Sequence, residues 1–223
     1  MARRKRHDLD SVLVIGLGRF GTSVAKNLIM MDRDVLAIDT SDKLVERWSN
    51  ELTHVVLGDA TDEEVMRQLG AASFQTAVVG IGSDIEASVV SVLILAELGV
   101  PDIWAKAVTG KHAQILERVG AHHVVRPERA MGERVAHMVG SNLIDYMSFD
   151  DGYAIARTTA PAYMAGLPLS ESTPRSRHGV TVVGIKRSGE DFINAVPETV
   201  VRAGDELVIC ATRELVEQFA RLR

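Results

Sequence analysis

The 223-residue chain has little cysteine: Cys210 stands alone, so no intrachain disulfide can form, which fits a reducing, cytoplasmic setting. It has no long apolar run. The most apolar stretch, Val89 to Leu98, is interrupted by Ser91 and Glu97 and falls well short of the ~20 residues that span a bilayer. The basic start is followed by Asp8 and Asp10 rather than an apolar segment, so a secretory signal is not expected. A net charge of −5 argues against a nucleic-acid-binding domain. Arg3 to Arg6 is the one strong basic run, read as a solvated tail or a membrane-surface contact. The phosphate-gripping G-x-x-x-x-G-K-[ST] loop is missing, and no nucleophile stands in a triad context. His122 and His123 are neighbours on an expected strand and point to opposite faces, so they do not share a metal.

What is present is organised around Ser11 to Met30. The apolar run Val12 to Ile15 reads as a buried strand, and Val24, Ala25, Leu28 and Ile29 recur at helical spacing. Between them stands Gly16-Leu17-Gly18-Arg19-Phe20-Gly21, a G-x-G-x-x-G in the strand–turn–helix context that a dinucleotide fingerprint requires. Gly16 allows the tight turn, Gly18 admits a diphosphate, and Gly21 lets helix and strand pack closely. Asp39 closes the next strand about 20 residues on, where a ribose-binding carboxylate is expected and where a 2′-phosphate would be repelled. The motif occurs once, so one nucleotide site is expected.

Further strands are expected at 54–57, 76–80, 103–106 and 121–125, alternating with helices at 41–49, 62–69, 85–98 and 109–119. Ser41, Thr61 or Asp62, and Ser83 or Asp84 are the candidate helix caps. The pattern predicts an α/β fold, a Rossmann-type doubly wound parallel sheet over residues 1–126. Gly58 to Thr61 and Ile81 to Asp84 fall at strand carboxyl ends, where ligands of such sheets bind, as does Lys106. A crossover helix with Met131, Val135, Met138 and Val139 as its apolar stripe follows, and 127–147 is read as a connecting and dimerisation helix. A small α+β C-terminal lobe over 148–223 begins with a strand near Tyr153. Lys106 and His112 are the best candidates for a proton donor, and no obvious catalytic pair forms, so hydride transfer lacks its acid/base pair.

The segments VIGLGRFG (14–21), GDAT (58–61), GIGSDIEAS (80–88), WAKA (104–107), RPERAMG (126–132) and PETVVRAGDELVI (197–209) occur in this order. Together they resemble the cytosolic RCK proteins of the Ktr and Trk type, which gate potassium transporters. The resemblance implies a regulatory, non-enzymatic subunit at the inner face of the membrane. Its copies would pair through the connecting helix into a ring, an octamer in the family, under a membrane potassium transporter subunit. It implies ATP/ADP as ligand, with ATP favouring the active form, or NAD(H). By motif position, Gly16, Gly18, Phe20 and Gly21 cradle phosphate and Arg19 senses the γ-phosphate. Asp39 takes the ribose, Asp59, Ala60 and Thr61 lie near the base, and Ile81, Gly82 and Lys106 complete the pocket. Position 59 can be Asn in the family pattern. The resemblance also implies Mg²⁺ or Ca²⁺ at Glu128 and a second ligand, cyclic di-AMP, at Arg175, Arg177 and His178, although Thr173 replaces an Asn of the binding pattern. The competing readings are an NAD(H)-responsive Trk-type regulator and an NAD-dependent oxidoreductase.

Overall fold

The computed structural model describes residues 11–149 and 151–222. The basic run Arg3 to Arg6 lies outside them. By contacts the chain divides into two compact units, one ending at Glu128 and the other beginning at Arg129.

The first unit is built on six strands: β1 (Val12–Ile15), β2 (Val35–Asp39), β3 (His54–Leu57), β4 (Thr76–Val79), β5 (Asp102–Lys106) and β6 (His123–Val125). Each runs parallel to its neighbours in the order β3-β2-β1-β4-β5-β6. All four residues of β1 are buried, as a central strand covered on both faces requires. Leu13, Ile15, Ala77, Val79, Ile103 and Ala105 feed one core, and Val12, Val14, Val35, Ala37 and Val78 another. This is the alternation of a pleated strand divided between two faces. The intervening helices are α1 (Arg19–Met30), α2 (Asp42–Trp48), α3 (Glu63–Gln68), α4 (Ile85–Glu97) and α5 (Gly110–Arg118). Asp62, Asp84 and Thr109 cap α3, α4 and α5 through their side chains. Ser41 occupies the N-cap position of α2, but its hydroxyl makes no capping bond.

The helix α6 spans Pro127–Gly140 and therefore stops short of residue 147, where the sequence pattern extended the connecting element. Residues 143–148 are instead a strand, β7 (Leu143–Ser148). The reason is a register shift between Leu143 and Asp145, which brings Leu143 and Tyr146 to the buried side together. A bulge converts period two into a spacing of three, and that spacing imitates a helix.

The second unit contains a five-stranded antiparallel sheet in the order β10-β9-β11-β8-β7, with β8 (Tyr153–Thr159), β9 (Thr181–Lys186), β10 (Ile193–Asn194) and β11 (Glu206–Thr212). Buried and half-buried residues alternate strictly along β11. The buried set, Leu207, Ile209 and Ala211, packs with Val216, Phe219 and Ala220 of α9 (Arg213–Ala220). The polar segment 170–179 has the composition of an exposed loop as well as of a ligand site. It folds as two short helices, α7 (Leu169–Ser172) and α8 (Pro174–His178), divided by Thr173 at φ 50°. Ser172 and Pro174 are buried, which explains why this polar segment is ordered.

Asp205, buried to 3% exposure, fastens the turn before β11. It accepts from the Arg187 guanidinium at 3.1 Å and from the Arg202 backbone N–H at 2.8 Å. Asp205→Ala leaves Arg187 with the exposed Glu190 at 3.7 Å in place of its buried partner, so equilibrium denaturation should show a loss of about 3 kcal/mol. A change under ~0.5 kcal/mol would mean that the pair contributes only as a surface ion pair does.

Candidate functional site

The sheet reverses its winding between β1 and β4, and the loops leaving the strands meet at their carboxyl edge, where ligands of open α/β sheets bind. The glycine loop sits there. Gly16 has φ +89°, a backbone region that side chains with a Cβ rarely enter. A Cβ on Gly21 would lie 1.8 Å from the Gly16 carbonyl oxygen, so α1 can approach β1 this closely only with glycine. Gly80 shares the constraint, because its Cβ would lie 3.2 Å from the Gly21 Cα. Gly18 differs: it is extended (φ −67°, ψ −173°), and a Cβ there would meet nothing within 4 Å. The loop therefore presents open space at its middle glycine.

Gly18 is the N-cap of α1, which has no side-chain cap and no acidic residue in its first turn. The contrast with the capped α3, α4 and α5 leaves this helix terminus with N–H groups and partial positive charge available to an anion. Arg19 is exposed and pairs with no carboxylate among the described residues.

Asp39 braces the loop from the end of β2. One oxygen accepts the Leu17 N–H at 2.6 Å and the other the Ser41 N–H at 2.8 Å. Each oxygen keeps a lone pair that a hydroxyl can use. The Gly58 N–H bonds the Asp39 carbonyl at 3.0 Å, which brings the loop after β3 alongside. There Asp59 accepts from both the N–H and the hydroxyl of Thr61, at 2.9 and 2.7 Å, in an Asx turn. Thr61 is thereby engaged and Asp62 does the capping. The Ala60 methyl is buried with Met66 in the core, so only its backbone faces outward.

On the other side, Ile81 lies against Gly16, its Cγ1 3.2 Å from where a Cβ would be. Gly82 stands beside Lys106, whose Nζ is 3.3 Å from the corresponding Gly82 position, and beside Val108 at 3.4 Å. The Lys106 ammonium also lies 5.9 Å from the Phe20 ring centroid and bonds Glu128 at 2.7 Å. That hydrogen bond first, then the residue's own backbone N–H, hold Glu128 below the usual carboxylate range. Burial opposes them, and the charges of Lys106 and Arg19 add smaller effects in the lowering direction. Lys106 thus connects the glycine loop, the β4 loop and the start of α6. Gly16, Gly18, Phe20, Gly21, Asp39, Ile81, Gly82, Lys106 and Glu128 are brought together by these contacts.

The sequence reading missed Gly80 as part of the loop's packing and Val108 as part of its wall. A second Gly-x-Gly at 80–82 was the available signal for the first, and nothing marked the second. His122 accepts the Ile103 N–H at 3.0 Å, and His123 stacks on Trp104 at 4.1 Å. Among the described residues no three His, Cys, Asp or Glu side chains gather for a metal. In the second unit, Arg177 lies 5.8 Å over Tyr163, and His178 packs between Tyr163 and Phe219 at 5.5 and 5.6 Å. Arg175 and Arg177 are exposed whereas His178 is half-buried among rings, so the three do not form one uniform polar surface.

Residues 12–127 match the TrkA-N domain family and residues 153–223 the TrkA-C domain family. The chain is 35% identical over 209 residues to Ktr system potassium uptake protein C of Bacillus subtilis (strain 168), covering 93% of this chain and 95% of that protein. This chain belongs to the Ktr family. It is 34% identical over 207 residues to Ktr system potassium uptake protein A of the same strain, covering 92% and 93% of the two chains. The Ktr fold is also that of the GsuK RCK domain, with a TM-score of 0.69, 20% identity, and coverage of 95% of this chain and 48% of that one. The GsuK channel bound to NAD gives 0.66, with 20% identity over 96% and 39% of the two chains. The chain thus spans less than half of either GsuK chain. As a Ktr protein it is a regulatory RCK subunit of potassium uptake and not an enzyme. Among the described residues no helix is long and apolar enough to cross a membrane.

The two glycines make a paired test. Thermal unfolding of Gly18→Ala should stay within ~0.5 kcal/mol of the parent, as for an exposed position. Gly21→Ala should cost about 3 kcal/mol or more, because backbone rather than a movable side chain blocks the new methyl. Equal effects would mean that the helix–strand approach is not set by Gly21.

Proposed function

We propose that this Ktr protein is a nucleotide-sensing regulatory subunit, in which ATP and ADP in the first unit's cleft set the state of a membrane potassium transporter. One observation carries the reading: the uncapped start of α1 opens over Gly18, with the Arg19 and Lys106 cations on one side and Asp39 on the other. These features support a phosphate site next to a hydroxyl site, as a nucleotide requires. The base would lie toward Asp59 and Thr61.

The distinction between ATP and ADP falls to Arg19. A terminal phosphate offers a doubly charged group that a guanidinium binds in fork geometry, and only the triphosphate brings one. A nucleotide switches a protein only through unequal affinity for two states. The states here are arrangements of copies in a ring, paired through α6. This 14-residue helix buries none of its residues and leaves Met131, Val135 and Val139 exposed, at 52%, 43% and 83%. A second copy would cover that face, and the assembly, an octamer by family resemblance, would sit at the inner face of the membrane against its transporter partner.

Glu128 suits a divalent cation shared with phosphate. A lone carboxylate with nucleotide oxygens and water is the usual setting for Mg²⁺, whereas Ca²⁺ asks for more oxygens. Binding would free Glu128 by drawing Lys106 toward the phosphates. A second reading, an NAD(H)-responsive regulator, is favoured by Asp39 at the ribose position and by the NAD-bound GsuK channel of like fold. Cyclic di-AMP at Arg175, Arg177 and His178 of α8 remains a separate proposal for the second unit.

Calorimetric titration of ATP, ADP, NAD⁺ and NADH, with and without Mg²⁺, decides among these readings. Arg19→Ala should weaken ATP by about 10- to 100-fold, the range of a lost charge-assisted contact, and leave ADP nearly unchanged. Gly18→Ala should weaken both alike. Equal losses of ATP and ADP in Arg19→Ala would remove Arg19 from the sensing role.

A further inference from the structure

His112, on the first turn of α5, is 1% exposed, and its Nε2 is buried without a hydrogen-bond partner. Its Nδ1 accepts the Val108 N–H at 3.3 Å, and the His112 backbone N–H donates to Thr109 Oγ1 at 3.1 Å. A ring nitrogen that accepts a backbone N–H carries no proton, so this bond assigns the neutral ring with hydrogen on Nε2. Protonation would turn Nδ1 into a donor facing another donor. It would also bury a charge beside no carboxylate.

The charged groups on the surrounding elements offer no relief. Lys106 ends β5. Arg126 follows β6, its guanidinium 3.6 Å from where a Gly110 Cβ would stand. Glu128 is engaged by Lys106. Glu86 and Glu97 of α4 and Lys111, Glu117 and Arg118 of α5 are exposed, and burial pushes the His112 pKa below its ordinary value.

What His112 holds matters more than its own state. Val108 is the residue whose Cγ1 lies 3.4 Å from the Gly82 Cβ position, next to Lys106 at 3.3 Å. Val108 thus stands beside Gly82 and Lys106, and the imidazole is tied to the turn that carries it through the Val108 N–H.

We infer that His112 is a positioning residue of the nucleotide cleft: neutral, it fixes the turn after β5 and with it Val108 and Lys106 against Gly82, and protonation releases that turn. The inference rests on the nucleotide reading above and adds acid sensitivity to it. The direction follows from linkage. Because the folded pKa lies below the ordinary ~6.5, the unfolded or released state takes up the proton first. The contribution of His112 is complete above that ordinary value and is lost as pH falls from it through the lowered folded value.

Two measurements on the full chain test this. Hydrogen exchange without ligand, corrected for intrinsic rates, reports protection over residues 103–112 between pH 8 and pH 5. Calorimetry reports ATP affinity over the same range. In the parent chain both should fall by about tenfold or more toward pH 5, the scale of one lost hydrogen bond plus a buried charge. His112→Asn, whose amide oxygen can accept the Val108 N–H without titrating, should flatten both profiles near the parent's pH 8 values. His112→Phe keeps a ring but no acceptor and should show the weakened state at every pH. If parent and His112→Asn bind ATP with the same pH profile, His112 has no positioning role, although the nucleotide reading survives. If the exchange profiles behave as expected but ATP is not bound at any pH, the nucleotide reading fails, and the cleft role assigned to His112 fails with it.

Discussion

The contact between Gly21 and the Gly16 carbonyl is the constraint on which the first unit depends. A side chain at Gly21 would place its first carbon 1.8 Å from that oxygen, inside any van der Waals contact. With glycine the helix α1 can start directly beneath the end of β1, and its axis meets the loop at the sheet's switch point. Two consequences follow from the one approach. The helix's first N–H groups face the cleft rather than a neighbouring strand, and the middle glycine, Gly18, is left over open space. The same closeness recruits Gly80 at the end of β4, so the two strands flanking the switch point share one steric requirement.

Charge is then distributed around this opening in a consistent sense. Where helices need stabilising for their own sake, an Asp or Thr caps them, as at α3, α4 and α5. At α1 no side chain does so; the Asp39 carboxylate holds the Leu17 N–H just before the cap, and the Arg19 and Lys106 cations belong to the same site. Lys106 is held by Glu128, a pair with one exposed partner that is worth of the order of 1 kcal/mol or less and therefore exchanges readily for a stronger anion. Asp39 has the opposite character, since its two backbone hydrogen bonds make it part of the loop. The cleft thus combines one acidic bracket bonded into the loop with two cations.

The second unit is stabilised differently. Its antiparallel sheet has one face on α9 and the other half-exposed, which the alternation in β8 and β11 records residue by residue. Its buried charge, Asp205, is spent on closing a turn, and its half-buried histidines, His137 and His178, are packed against rings: Tyr146 for the first, Tyr163 and Phe219 for the second.

Much of this was legible in the residues. The apolar run at 12–15, the glycine spacing after it and Asp39 at the next strand's end specified a parallel nucleotide-type sheet, because period, steric need and charge are local properties. The strand β7 was not legible, because a bulge gave it a helical spacing. The two short helices at 169–178 were not legible, because polar composition hides Ser172 and Pro174 buried within them. By itself the chain determined the strands of the parallel sheet, the glycine loop at 16–21 and which family the protein resembles. Only the tertiary structure decided that Lys106 meets Phe20, Gly82 and Glu128, that the Ala60 methyl turns into the core, and that His112 holds Val108 at the cleft wall. Those facts depend on groups brought together from separate strands, and distance in space between them is not encoded in distance along the chain.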